Sequence, residues 1–494
     1  MSHPLKKLAG QTVIYGLGNI LPRFINYLFS LVLTYIFLQP AELASNTEFF
    51  SYISFVKILF TYGMETAFFN FTSKMEQRDR VYSTALISIL ASTLFFSLLL
   101  ILFAGPLASL ARYEDHSNYV VWCVLIVATD AIMAIPFARL RLNNQARRFA
   151  LINFVNVLVY ISINLFYLVL CKNAFEKGED NFLAHAYNPT IGVGYAFLAT
   201  LVANLVSIGL MGDQFRGFDY VFDKKLWREM FAYAWPLIFI GLAGMVNETF
   251  DRIILKYLLP RGTGEYQVGV YGACYKISIL MTIFIQAFRY AAEPFFFNNV
   301  RDKDSKKLNA LVMKYFILFC LFLFLATTLN MPWIQVAISE KYRAGLGVVP
   351  ILLLANLCLG VYYNLSIWYK LTGQTKFGAI ITVIGAAITL TINFVFIPTH
   401  GYMACAWATL ITYFVMMVIS YFAGQKYYPV KYNLRSIFVF TFLALGLYFL
   451  STCFSGVDHV LLKLFVNNLL LLVFIFLFYK LEFDNLKKLK HTAS

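Results

Sequence analysis

The sequence predicts an all-α integral membrane protein, on three observations. Sixty percent of the residues are hydrophobic and only 13% charged, at a mean hydropathy of +0.70, well beyond the roughly 45–50% apolar share of a soluble globule. Fourteen apolar runs have the length needed to cross about 30 Å of hydrocarbon. Connections rich in Lys and Arg alternate with poor ones along the chain, as expected when cytoplasmic loops retain positive charge.

The first run, 11–37, is too long for a secretory signal, contains Arg23 and lacks a small-residue cleavage site, so it belongs to the mature protein. Five more follow at 49–72, 81–103, 119–138, 149–171 and 190–212. A second set of six occupies 230–255, 267–292, 310–329, 348–369, 377–397 and 402–423. The last two, 436–454 and 461–479, carry few polar residues and suit either lipid-facing packing or contact with a lipid tail. With the N-terminus inside, about two thirds of the 40 basic residues fall in cytoplasmic segments. Clusters at Arg139, Arg141, Arg147 and Arg148, at Lys224, Lys225 and Arg228, and at Lys487, Lys488 and Lys490 carry that bias. Both termini are therefore expected on the cytoplasmic side of a cell membrane. The net charge of +15 is then a matter of topology and anionic headgroups, with no nucleic-acid partner implied.

An aromatic share of 18%, with 50 Phe and 32 Tyr, suits acyl-chain contact and the headgroup belts. The seven cysteines have no paired spacing and read as small core residues. All six histidines fall at termini or in connections, so neither a metal site nor a catalytic relay within the spans is expected.

Six basic residues lie within or at the ends of spans: Arg23, Lys57, Arg252, Lys276, Arg289 and Lys314. Each would cost roughly 2.5–3.5 kcal/mol at a bilayer centre, so they call for a polar interior. Lys314, near a helix end, is expected to snorkel. Helical spacing supports such an interior. Asn19, Arg23, Asn26 and Ser30 share one face of the first span, and Ser54, Lys57, Thr61 and Glu65 one face of the second. The seventh carries Gly244, Asn247, Glu248, Asp251 and Arg252 together, and the eighth aligns Ser278, Thr282, Gln286, Arg289 and Glu293. Asp130 is a further acid within the fourth span. The alternative is that these charges only pair with one another and hold helices together.

The chain also repeats itself. A shift of 229 residues lays Gln145, Arg147, Ile163 and Asn164 on Gln374, Lys376, Ile392 and Asn393 without a gap, and Glu65 and Glu293 stand 228 apart. Six crossings return the chain to its starting side, so spans one to six and seven to twelve form two copies in the same orientation. The expected organisation is an N-lobe at 1–220, a C-lobe at 221–430, and at 431–494 two further spans with a basic cytoplasmic tail.

The stretches LAGQTVIYGLGNILPRFINYLFS, YGMETAFFNF and FIQAFRYAAEPFFF are similar to the polysaccharide transporter, or Wzx-type, branch of the multidrug/oligosaccharidyl-lipid/polysaccharide flippase superfamily. That resemblance covers nearly the whole chain. It implies two six-helix lobes around a cavity that opens alternately to each side. The implied substrate is a polyprenyl-diphosphate-linked oligosaccharide, such as an O-antigen or other surface-polysaccharide repeat unit, carried from the cytoplasmic to the outer leaflet. In related lipid II flippases, cavity arginines on the first, second and eighth helices are implicated in diphosphate binding, which by helix position points to Arg23, Lys57 and Arg289.

The residues themselves agree with that reading. A diphosphate needs cations, for which Arg23, Lys57, Arg252, Lys276 and Arg289 are candidates; Asn19, Asn26, Asn247 and Gln286 would meet sugars. Glu65, Glu248, Asp251, Glu293 and Asp130 are candidates for gating or coupling. No cofactor is expected, and energy would come from an Na+ or H+ gradient or the membrane potential, since there is no P-loop pattern. Membrane lipids and other polysaccharide assembly proteins are the expected partners. Two alternatives stand: a multidrug exporter of the same superfamily, which usually stops at twelve helices, and a membrane polysaccharide polymerase, ligase or glycosyltransferase. The triplet Asp302-Lys303-Asp304 lies in a charge run, RDKDSKK, which reads as solvated, and the longest outer loop is only about 18 residues.

Overall fold

A computed structural model describes the backbone of residues 3–216, 218–298, 305–454 and 459–493, and the side chains of 20–216, 218–289, 292, 305–454 and 459–482. Among these residues all regular structure is helical. The chain forms two compact units, Met1–Gly272 and Ala273–Ser494.

The first unit begins with α1 (His3–Ile36), α2 (Pro40–Thr61), α3 (Met64–Thr72), α4 (Arg78–Leu102) and α5 (Ala104–Leu110). It continues through α6 (Ser117–Leu142) and α7 (Ala146–Leu165), whose last turn widens into a π-helix at Phe166–Cys171. Two short helices follow, α8 (Lys172–Glu176) and α9 (Phe182–Ala186), then α10 (Gly194–Leu210), α11 (Lys224–Leu258) and the start of α12 (Thr263–Asn298). Helix α6 is central, with α2, α4 and α10 packed on it, while α7 joins α10 to α1. Ile53, Phe60, Met64, Phe68, Ile89 and Ile135 fill the space between them.

The second unit takes the rest of α12 with α13 (Ser305–Leu329), α14 (Met331–Ile334), α15 (Val348–Leu365) and α16 (Ile367–Leu371). It closes with α17 (Lys376–His400), α18 (Tyr402–Tyr427), α19 (Leu434–Cys453) and α20 (Val460–Ala493). Helix α18 packs on α15 and α17, and α13 collects α15, α19 and α20.

Eleven of the described helices are long and apolar enough to cross a membrane, and two shorter ones, Ile20–Ile36 and Gly194–Leu210, are apolar. The outward faces match a lipid solvent: on α4, Leu94, Phe95, Leu98 and Leu102 are exposed, Leu102 by 78%, far more apolar surface than water tolerates. Six cysteines are buried; Cys453 is exposed, unlike the core role read from the sequence.

The structure departs from the sequence reading at the second span, which is two helices rather than one. Tyr62 and Gly63 adopt left-handed backbone, φ 33° and 73°, and end α2. A side chain at 63 would meet Ala234 O at 3.0 Å, so glycine is required where the chain turns against α11. Lys57 therefore belongs to α2 and Glu65 to the first turn of α3.

The two compact units meet inside the eighth span, and α11 falls in the first because it packs on α2, α3 and α4. Asp223 starts α11 as an N-cap, accepting from Lys225 N at 2.9 Å and Leu226 N at 3.1 Å. The Leu226 hydrogen bond, above all, holds its carboxyl below the ordinary carboxylate range, so the cap is intact at neutral pH and lost only as acid titrates it. At its other end α11 is bolted to α2 by a pair that is 0% exposed on both sides, Lys256 Nζ to Glu48 Oε2 at 2.9 Å. Lys256 also donates to Ala111 O at 2.8 Å and lies 3.6 Å over the Tyr113 ring, whose hydroxyl donates to Glu48. The sequence placed Lys256 in an outer loop; the helix runs further than the apolar run because this partner awaits it.

A second sealed pair corrects another expectation. Lys314 does not snorkel: it is buried on α13 and donates to Glu482 Oε2 of α20 at 2.5 Å, and Ser436 of α19 donates to the other carboxylate oxygen at 3.3 Å. The two last long helices are thus fastened to α13 by charge as well as by apolar packing.

Two predictions follow from these contacts. Glu48→Gln leaves a buried ammonium without its counter-charge and should lower stability by about 3–5 kcal/mol, whereas pairing it with Lys256→Met should recover most of the loss, both read from melting of the full chain in detergent. Gly269 sits so close to α2 that a Cβ would come within 1.8 Å of Pro40 O; Gly269→Val should therefore cost at least the roughly 1–3 kcal/mol of an overpacked core, with Gly105→Ala, which faces open space, as the neutral control in the same melt.

Candidate functional site

The first unit holds a continuous polar seam between α2, α6, α7 and α10. Lys57 Nζ donates to Asp130 Oδ2 at 2.7 Å, with side-chain exposures of 47% and 22%. Asp130 Oδ1 accepts from Asn204 Nδ2 at 2.8 Å, and that same amide donates to Thr129 Oγ1 at 3.0 Å. Behind it, Asn156 Nδ2 donates to Asn204 Oδ1 at 3.2 Å and to Ser207 Oγ at 3.0 Å. Asn204 and Ser207 stand three apart on α10 and so share a face; both are buried. One end of the seam is open and the other sealed.

A second group joins α1 and α11. Arg23 and Asn26 are exposed along α1, three residues apart, and Glu248 is exposed on α11. Arg252 stands one turn from Glu248 on the same helix. Asn247 and Asp251, four apart, point instead into the helix packing and are buried. Asp251 accepts the Tyr271 hydroxyl at 2.7 Å and the Arg252 backbone N–H at 2.9 Å. The seventh-span stripe thus splits into an open pair and a buried pair.

In the second unit Lys276, Gln286 and Arg289 are half-buried along α12. The Arg289 guanidinium lies 4.6 Å over the Tyr363 ring, a cation–π contact. Ser278, on the same stripe, is fully buried.

Glu65 sits in the first turn of α3, where the helix dipole favours an acid, and accepts from Arg141 Nη2 of α6 at 2.5 Å. Arg141 in turn lies 5.2 Å over Phe69. This half-exposed pair is at the Arg-rich end of α6, next to Arg148, which donates to Asp213 through both guanidinium nitrogens. Those bonds hold the Asp213 carboxyl below its ordinary range. The side chains of Asn19 and Glu293 lie outside the described residues, as do Asp302 and Asp304 altogether. Among the described residues no group of three His, Cys, Asp or Glu is disposed to hold a metal ion.

Sequence reasoning proposed Lys57 and Asp130 separately and missed Asn156, Asn204, Glu48, Lys256 and Glu482. The amides on α7 and α10 were legible as polar residues at helical spacing. The three charges were not, because each lies just beyond the apolar run that defined its span.

The family described as polysaccharide biosynthesis protein matches residues 8–300, more than half of the chain. This chain belongs to that family. No curated protein matches it. Its fold is shared with the lipid II flippase MurJ in an inward closed conformation, at TM-score 0.68 and 14% identity over 95% of this chain and 99% of that one. It is also shared with a multidrug resistance MATE family transporter of the MOP superfamily in an inward-facing conformation, at TM-score 0.62 and 14% identity over 82% and 94%. The Vibrio cholerae MATE transporter VcmN is similar at TM-score 0.60 and 14% identity over 85% and 97%. The polysaccharide biosynthesis family member described here therefore has the fold of that superfamily's transporters.

The half-exposed Glu65–Arg141 pair carries a prediction. Screened by solvent, it should contribute no more than about 1 kcal/mol, so Glu65→Gln should barely move the melting temperature in detergent, in contrast to Glu48→Gln.

Proposed function

We propose that the protein is a flippase of the Wzx type, moving a polyprenyl-diphosphate-linked oligosaccharide from the cytoplasmic to the outer leaflet of the bacterial cytoplasmic membrane by alternating access. The observation that carries this reading is the 47% exposure of Lys57 together with the exposure of Arg23, within the first two apolar runs of the sequence. A cation exposed to hydrocarbon at that depth is strongly disfavoured, so these residues line a wet hollow. A diphosphate is the ligand such cations suit: Arg23, Lys57, Arg252, Lys276 and Arg289 would supply the positive charge, and Asn19, Asn26 and Gln286 the sugar contacts, whereas Asn247 is buried in the helix packing. Asp130, Glu248 and Glu293 would neutralise those cations when no substrate is bound, while Glu65 is engaged by Arg141 and Asp251 by Tyr271. The prenyl tail stays in lipid, beside the apolar α19 and α20.

The proposed organisation is an N-lobe at 1–220 and a C-lobe at 221–430, with 431–494 as the added pair and both termini cytoplasmic. Fourteen crossings follow if the broken α2–α3 segment and the two shorter apolar helices each span. The drive is an ion gradient or the membrane potential. The flippase reading is favoured over a multidrug exporter because the lipid II flippase aligns with 95% of this chain and the MATE transporter with 82%.

Deletion of the gene should accumulate a polyprenyl-diphosphate oligosaccharide on the cytoplasmic face, identified by mass spectrometry. Arg289→Ala and Arg23→Ala should each lower flipping by about tenfold or more, the loss of one hydrogen bond to a charged group. Unchanged lipid-linked intermediates after deletion would sink the proposal.

A further inference from the structure

The seam from Lys57 to Ser207 has a design that a simple structural ion pair does not require. The two oxygens of Asp130 have different partners. Oδ1 is fixed by the amide of Asn204 at 2.8 Å, which is itself buried and held by Asn156. Among the described residues Oδ2 meets only the ammonium of Lys57, at 2.7 Å, on the side where exposure rises to 47%. Protonation of Oδ2 would leave the Asn204 bond intact, since a carboxylic acid still accepts through its carbonyl oxygen, and would abolish the attraction for Lys57 alone. The flexible Lys stem would then be released toward the open side.

On α11, which packs on α2, Asp251 is held by the Tyr271 hydroxyl and Lys256 by Glu48, Glu248 and Arg252 stand one turn apart, and α1 brings Arg23. On α6 the nearest charges are Arg139 and Arg141, which pair with Asp79 and Glu65. On α2, Glu48 is sealed against Lys256. The charges of α4 and α7, among them Arg80 and Arg148, lie in their first turns, paired with Asp223 and Asp213; α10 brings only amides and hydroxyls.

We infer that Asp130 is a proton-exchangeable counter-ion that occupies Lys57 when the hollow is empty and yields it to an anionic phosphate ester, so that binding of the anion at Lys57 takes up one proton at Asp130 Oδ2. This rests on the flippase reading and specifies its coupling. Linkage is reciprocal: a proton strengthens anion binding, and the anion strengthens proton binding. The sign sets the direction of assistance. A doubly charged diphosphate diester and one proton carried together bear a net negative charge, whose outward movement an inside-negative potential favours, whereas the pH gradient opposes it.

The test uses the full chain in detergent and a short-chain prenyl diphospho-N-acetylglucosamine, a diester without the titrating proton of a phosphate monoester. Calorimetry in two buffers of different ionisation enthalpy reads affinity and proton uptake together. The wild-type protein should bind about tenfold more tightly at about pH 5 than at about pH 8 and take up a proton on binding. Asp130→Asn, which keeps the acceptor for Asn204, should bind tightly at both values and lose that uptake. Lys57→Gln should bind weakly at both, and Lys57→Arg should restore binding. Asp130→Asn with unaltered pH dependence and proton uptake would overturn the exchange, as would a wild-type affinity that does not change with pH. Failure of both the wild type and Asp130→Asn to bind at any pH would instead overturn the substrate class, and the exchange with it.

Discussion

A charge carried into an apolar helix bundle must be met by an opposite charge, an amide, an aromatic face or water, and this constraint organises the protein. Glu48 with Lys256 and Lys314 with Glu482 meet it by mutual neutralisation in sealed sites. Their net contribution to stability is modest, because desolvation offsets most of the attraction. What they fix is register: α11 can dock on α2, and α20 on α13, in one position only. Arg289 meets the same constraint with the Tyr363 ring, and Lys57 with Asp130 and solvent.

Exposure separates the sealed pairs from the open groups. Lys256 is a bolt because nothing can reach it. Lys57, Arg23 and Glu248 are exposed. The same chemistry therefore serves architecture at one depth and, in the proposed function, ligand binding at another, and burial separates the two.

Much of this was legible in the sequence. Long apolar runs locate the helices because hydrocarbon allows no other backbone arrangement for a solitary segment, and each run expected to span is helical here. The charged faces of the first, seventh and eighth spans were visible from their spacing. Partners were not: Lys57 and Asp130 are 73 positions apart, Glu48 and Lys256 208, and no local pattern joins such pairs. Counting apolar runs also truncates helices at the first charge, which hid Glu48, Lys256 and Glu482. The break at Tyr62–Gly63 escaped notice because a lone glycine is common in membrane helices; its necessity lies in the approach of Ala234.

The Lys314–Glu482 pair has a consequence for descent. A lineage that loses the ammonium strands a carboxylate in the interior, and one that loses the carboxylate strands the ammonium, so either change alone is a handicap that selection removes. Homologues should then retain both or have neutralised both, and statistical covariation between these two columns, 168 positions apart, would mark the docking of the final helix in relatives for which no coordinates exist.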